Sequence, residues 1–332
     1  MNHSKRATLR QIAASAAALL TGSTLTAQAF AQTFPAKPVI LMIPYPAGGL
    51  SDNVTRRVNV PLGAALGQPA IVENLGGASG SIAAQKVLNS PSDGYLVFQG
   101  SPNELILAPL AISAVKYKAE DFRQIHRVAL APMAIFARAG LPAKNADELV
   151  AYATKAAKEG KPLPYASVGP GSFYHLLGAK MSNELHIEMT HVPYRGAAPA
   201  HIDLAGGRVH MIFDNIPGSL AQMAAGKANG LGVTSLKRSP SAPDVPAMAE
   251  FLPGFDVNSW GGICGPAGLP PTMVEKLSAL TKKALESDDL KATYLKQGAT
   301  PLWTNPSDTA AYRRADEQRL APVIKASGAK VD

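Results

Sequence analysis

With one cysteine, Cys264, in 332 residues, the chain cannot form an intramolecular disulfide, so its stability must come from a packed core. That suits a bacterial periplasm better than a small stapled extracellular scaffold. Beyond the N-terminus it has no run of about 20 apolar residues, so no later segment reads as a membrane span. Lys and Arg exceed Asp and Glu by 32 to 24, yet they never cluster into a basic run, which argues against a nucleic-acid partner. There is no G-x-x-x-x-G-K-[ST] loop, and Tyr174 stands where a dinucleotide fingerprint needs its third glycine. A G-x-S-x-G elbow is missing too, so Ser172 and His175 read better as a helix cap and a loop brace than as a nucleophile and its base. Five of the seven histidines fall between His175 and His210, but neither H-E-x-x-H nor another paired-ligand spacing occurs, and no metal or other cofactor is expected. Internal repeats are absent.

The N-terminus carries His3, Lys5, Arg6 and Arg10, then the weakly apolar run Ile12 to Leu25, then small residues at Ala29 and Ala31. This is the pattern of a cleavable secretory leader, with cleavage after Ala31. Its removal leaves 301 residues, enough for two ordinary domains, and lowers the net charge from +8 to +5.

Strand-like runs alternate with helical ones: Val39 to Pro44, Ala70 to Asn74, Tyr95 to Gln99, Met133 to Arg138, Met189 to Pro193, Val209 to Phe213 and Gly230 to Thr234. That alternation predicts an α/β fold with parallel-rich sheets covered by helices. Val54, Val58, Leu62 and Leu66 recur every four residues, with Ser51 as the expected N-cap and Pro61 as an internal kink. Further helices are expected over Ser81 to Leu88, Ala146 to Lys158, Ser172 to Glu184, Pro199 to Ala205, Ser219 to Ala225, Pro271 to Glu286, Asp288 to Gln297 and Ser307 to Ser327. Gly206, Gly226 and Gly298 follow three of them as left-handed stops.

Four short Gly/Ala/Ser/Pro loops join strands to helix starts: Pro44 to Asp52, Gly76 to Ser81, Ser167 to Ser172 and Tyr194 to Ala200. A fifth, Gln99 to Asn103, is blurred by Pro102. Helix N-termini offer unpaired N–H groups and partial positive charge, and loops at the carboxyl ends of strands converge in the crevice of an open α/β sheet. Several converging termini make an anion site. The alternative, that each loop is only a tight turn, suits any single loop better than all four together.

The segments PAKPVILMIPYPAGGLSD, GQPAIVENLGGASGS, PSDGYLVFQGS, HVPYRGAAPAHIDLAGGRVHMIFDN, GVTSLKRSPSAPDVPAMAEFLPGF and SWGGICGPAGLP resemble, in order, the Bordetella-uptake-gene receptors. These form the TctC family of solute-binding proteins of tripartite tricarboxylate transporters. The resemblance implies a monomeric periplasmic receptor without catalytic residues, a type II-like binding protein whose two lobes, joined by two crossover strands, close on a small carboxylate. One lobe would hold residues 32–132 plus 254–332 and the other 133–253, with a large and a small membrane subunit as partners. Ligand contacts are then expected from Tyr45, Ala47, Gly48, Gly49, Ser51 and Asp52, from Ser79, Gly80 and Ser101, from Val168, Gly169, Gly171, Ser172, Phe173 and His175, and from Arg195, Gly196, Ala197 and Asp214. The chain departs from the family pattern where Pro170, Phe173 and Tyr174 replace an Asn and two small residues. If either aromatic faces the ligand, it presents a flat apolar wall and favours an aromatic carboxylate; the alternative is that both are core. A periplasmic hydrolase using the same cleft, or a sensor for a membrane signalling partner, remains the alternative function.

Overall fold

The computed structural model describes residues 34–48, 50–143, 145–194, 197–296 and 298–327. The expected leader, Gly49, Arg195 and Gly196 lie outside the described residues. In chain order the first elements are β1 (Val39–Ile43), α1 (Leu50–Leu66), β2 (Ala70–Asn74), α2 (Ser81–Leu88) and β3 (Leu96–Gly100). A π-turn (Asn103–Leu107) runs into the short α3 (Ala108–Ala111) and on to β4 (Phe122–Arg138). Next come α4 (Ala146–Lys158), β5 (Leu163–Ser167), α5 (Phe173–Glu184), β6 (Met189–Pro193), α6 (Ala197–Ala205), β7 (Met211–Asn215), α7 (Ile216–Ala224) and β8 (Ala228–Val233). The chain closes with β9 (Asn258–Pro266), α8 (Pro271–Leu285), α9 (Asp288–Lys296), β10 (Thr300–Pro301) and α10 (Pro306–Ser327).

The strands form two leaves that share β4. In the first leaf β2, β1 and β3 run parallel, β9 inserts antiparallel between β3 and the first part of β4, and β10 pairs on the far side of β4. In the second leaf the last part of β4 pairs with β7 and β8, and β5 and β6 continue from β7 in parallel. The exchange of partners is abrupt: Pro132 faces Asn258 of β9, and the next residue, Met133, faces Asn215 of β7. A 17-residue strand is long because it serves both leaves. The mixed α/β architecture is what the strand–helix alternation predicts, and its two leaves accord with the two lobes that the family resemblance implies.

The chemistry of the runs explains their places. β1 is apolar throughout and almost wholly buried, as a strand covered on both faces must be. Val54, Val58, Leu62 and Leu66 form the buried stripe of α1, which continues through Pro61. Trp260 of β9 is buried and donates its indole N–H to Asp316 of α10 at 2.8 Å, tying that helix to the first leaf. In the second leaf a Cβ on Gly178 of α5 would run into the ring of Tyr165, so only glycine lets α5 lie this close to β5.

Three local expectations are corrected. Helix α1 begins at Leu50, so Ser51 lies inside it rather than capping it. At the end of α6 the left-handed residue is Gly207, with φ 76°, not Gly206, because one more residue closes the turn. Strand β5, the first part of β4 and β10 are additions to the expected set; Pro164 lies within β5 and Pro301 within β10, where a proline breaks a strand pattern.

Candidate functional site

In the first leaf the loop after β1 is held by Asp52 of α1. Its Oδ2 accepts from the Gly48 N–H at 2.8 Å, and its Oδ1 pairs with Arg56 Nε at 2.9 Å. Burial alone would raise the Asp52 carboxyl, but Arg56, the Gly48 N–H and Asn74 together hold it below the usual range, so it is ionised. Gly48 has φ 89°, a conformation that needs glycine. Ala47 is exposed and Tyr45 half-buried. The loop after β2 is strained: Ala78 and Ser79, with φ 45° and 53°, stand in the left-handed region between Gly77 and Gly80. A Cβ on Gly80 would strike the side chain of Glu104.

Glu104 is the residue the sequence reading missed. It is fully buried on the π-turn, at the meeting point of all three first-leaf loops. Tyr45 Oη donates to its Oε1, while its Oε2 accepts from the Ser101 N–H at 2.7 Å and from Ser101 Oγ at 2.8 Å. Burial pushes this carboxyl up to about 7, against the pull of the Tyr45 and Ser101 hydrogen bonds. Burial and the neighbouring Glu104 also raise the Tyr45 hydroxyl, which stays protonated and donates.

The second leaf braces its loop with neutral acceptors. Ser172 caps α5, its Oγ accepting from the His175 N–H at 3.3 Å and donating to the Gly169 carbonyl at 2.6 Å. His175 Nδ1 accepts from the Gly171 N–H at 3.2 Å, which fixes the ring proton on Nε2. Beneath them Ser167 Oγ accepts from the Gly169 N–H at 3.1 Å and meets His191 Nε2 at 2.6 Å. The His175 and His191 rings stack with centroids 3.8 Å apart. Burial lowers both, and His191, with His175 beside it, falls to about 4, so the stack is neutral. Ser172 and His175 thus act as cap and brace. Val168 and Gly169 stand at the part-exposed lip of the loop.

Phe173 is 3 % exposed and belongs to the apolar core, with Leu105 of the first leaf and Leu320 of α10 in the same cluster. Its ring is packed in that cluster rather than exposed, the core alternative of the two. Tyr174 is part-buried and hydrogen-bonded to Asn215. Asp214, 2 % exposed, is sealed: Oδ2 meets His201 Nε2 at 2.6 Å, and Oδ1 accepts from Asn215 N at 2.7 Å and Nδ2 at 3.1 Å. Ala197 opens α6, part-exposed.

The two sets of loops meet. Asn103 Oδ1, on the first leaf, accepts from the Phe173 N–H at the start of α5 at 3.0 Å, and Asn103 Nδ2 donates to Tyr45 Oη at 3.0 Å. So the structure brings Tyr45, Gly80, Ser101 and the Ser172–Phe173 helix start to one place, while Asp214 is turned into its own leaf. An open groove of about 670 Å³ lies elsewhere on the first leaf, between the starts of α8 and α10, and none of these loops lines it. Among the described residues no helix is long and apolar enough to cross a membrane.

Comparisons with known proteins bear on the family and the fold. Residues 54–329 match the profile described as the tripartite tricarboxylate transporter family receptor. The chain is 31 % identical to protein BugT of Bordetella pertussis over 314 residues, 92 % of this chain and 94 % of that one. Among solved structures, R. palustris Rpa4515 with adipate superposes with a TM-score of 0.80 at 32 % identity, covering 90 % of this chain and 100 % of that one. MatC from Rhodopseudomonas palustris with bound malate gives 0.76 at 28 %, covering 88 % and 100 %.

Proposed function

This chain belongs to the tripartite tricarboxylate transporter receptor family, and from that premise we propose that it captures a small carboxylate between its two leaves in the periplasm and delivers it, unchanged, to the membrane subunits of a transporter. The observation that carries the reading is the start of α5: it points across to the first leaf, with the Phe173 N–H at the junction and no side-chain charge of its own. A helix start of this kind favours an anion by its unpaired N–H groups and its dipole. The adipate and malate in the similar structures support an aliphatic dicarboxylate as the ligand class. The burial of Phe173 removes the main support for an aromatic one.

We take the ligand contacts to come from Tyr45, Gly48, Ser79, Gly80, Ser101, Gly169, Ser172 and the Phe173 backbone. The lobes are 32–132 plus 254–332 and 133–253, a division supported by the exchange of partners along β4 at Pro132 and Met133. The protein acts as an exported monomer. A hydrolytic role for Ser172 and His175 is disfavoured, since both side chains are committed to backbone groups of their own loop.

Adipate and malate are the first probes, by thermal shift and calorimetry. A ligand at about 100 times its dissociation constant adds about 2.7 kcal/mol of stability. Ser172→Asp keeps a good helix cap but places a carboxylate at the anion site, so the shift should vanish while the fold persists. Equal binding by parent and variant would overturn the reading.

A further inference from the structure

Asn103 sits on the π-turn of the first leaf and spans the junction with both ends of its amide. Nδ2 donates to Tyr45 Oη at 3.0 Å, and Oδ1 accepts from the Phe173 N–H of the second leaf at 3.0 Å. Which way the amide points is decided by its neighbours. Tyr45 has one proton and gives it to Glu104 Oε1; the Ser101 hydroxyl gives its proton to Glu104 Oε2 at 2.8 Å. The Tyr45 oxygen, its proton spent, can only accept from Asn103, so the donor end of the amide turns to Tyr45 and the acceptor end turns to α5.

The α5 end needs that acceptor. In the first turn the Ser172 N–H uses the Gly169 carbonyl at 3.3 Å and the His175 N–H uses Ser172 Oγ at 3.3 Å. The Phe173 N–H between them has no such partner within its own leaf and is satisfied from the other leaf. The groups facing Glu104 from the packed elements, Tyr45, Tyr117 and Cys264, include no cation, so the carboxylate relies on the donors that orient the latch.

We propose that Asn103 is a positioning residue that latches the two leaves together in the ligand-free protein, its acceptor end set toward Phe173 by the hydrogen-bond chain from Glu104 through Tyr45. The latch rests on the reading of the two leaves as a closing receptor. It gives the binding protein a neutral internal stand-in for a carboxylate oxygen at the start of α5.

The test measures leaf separation with no ligand present. Spin labels at Val60→Cys and Ile202→Cys, exposed positions on α1 and α6, report the distance between the leaves by double electron–electron resonance, and buried Cys264 stays unlabelled. Asn103→Leu removes the acceptor at similar volume, and the ratio of closed to open molecules should fall about fivefold. Asn103→Asp keeps an acceptor for the Phe173 N–H and should keep the closed distance at pH 6, where Glu104, with its value near 7, takes up a proton and can donate it to Tyr45, so that the tyrosine turns its own proton to the new carboxylate. Tyr45→Phe should shift the distribution in the same direction as Asn103→Leu, because the amide loses the oxygen that orients it. Identical distributions for Asn103→Leu and the parent would overturn the latch, and so would opening by Asn103→Asp as large as by Asn103→Leu. Because no ligand enters the measurement, failure of the latch and failure of adipate or malate binding are separate results.

Discussion

The two leaves brace the same kind of loop with opposite chemistry. In the first leaf the acceptors for the loop N–H groups are carboxylates, Asp52 for Gly48 and Glu104 for Ser101. In the second leaf they are neutral: Ser167 for Gly169, His175 for Gly171, Ser172 for His175. One leaf hides an acid that burial pushes up to about 7, the other a stacked histidine pair of which His191 is pushed down to about 4. The first leaf thus holds its loops with acids, one ionised and one raised by burial, and the second holds its loop with neutral dipoles. Under the proposed function, an anion's main grip would belong to the second leaf, with hydroxyls and shape supplied by the first.

The largest effects should come from the closest packing in each leaf. Gly178→Ala forces a methyl into Tyr165, and Gly80→Ala, at φ 82°, forces one into Glu104. Each should cost about 3 kcal/mol by chemical denaturation. Hydrogen exchange should localise the first loss to the second leaf and the second to the first; a loss spread evenly over both would break the comparison.

Smaller but more telling is pH. The folded Glu104 holds a proton that the unfolded chain, at 4.5, has released, so its contribution is complete below 4.5 and is lost as pH rises through about 7. His191 runs the other way: its contribution is present above 6.5 and is lost as pH falls through about 4. Measured against the parent, Glu104→Gln should remove a decline toward neutral pH of about 3 kcal/mol at most, and His191→Gln should remove a decline toward acid. Difference slopes of the same sign would end the contrast between the leaves.

The smallest effect is a cap. Asn145 accepts the Glu148 N–H at 2.9 Å at the start of α4, and Asn145→Ala should cost about 1 kcal/mol. The exposed Lys86–Glu73 pair of the first leaf should cost about half as much or less when Lys86 is replaced by alanine. Urea titration resolves the two.

Local chemistry was legible in the sequence. The four-residue stripe of α1 and the cap at Ser172 follow from spacing and from the hydrogen-bonding needs of a helix start, and both are observed. What depended on distant neighbours was not. Asn103 meets Phe173 across 70 positions, and no local pattern announces that. Phe173, in a first helical turn beside a second aromatic, had two plausible faces; packing against the other leaf decided for the core. Glu104 did leave a trace, a lone acid heading the apolar run ELILAPLA, where a carboxyl must be either paired or costly. Pro102, two residues before it, blurs the helix start that would have placed it.

The place of β9 sets the order in which this molecule can be completed. It is one of the last strands along the chain, yet it lies in the middle of the first leaf, between β3 and β4. Until residues near Trp260 are available, β3 and β4 cannot be joined, and about 160 residues separate β3 from the strand it needs. Such a sheet cannot be finished piecemeal as the N-terminal part emerges. The second leaf, whose core cluster draws only on residues from Ala134 to Ala247, can close before the first, so the leaf that begins the chain is the last to be completed.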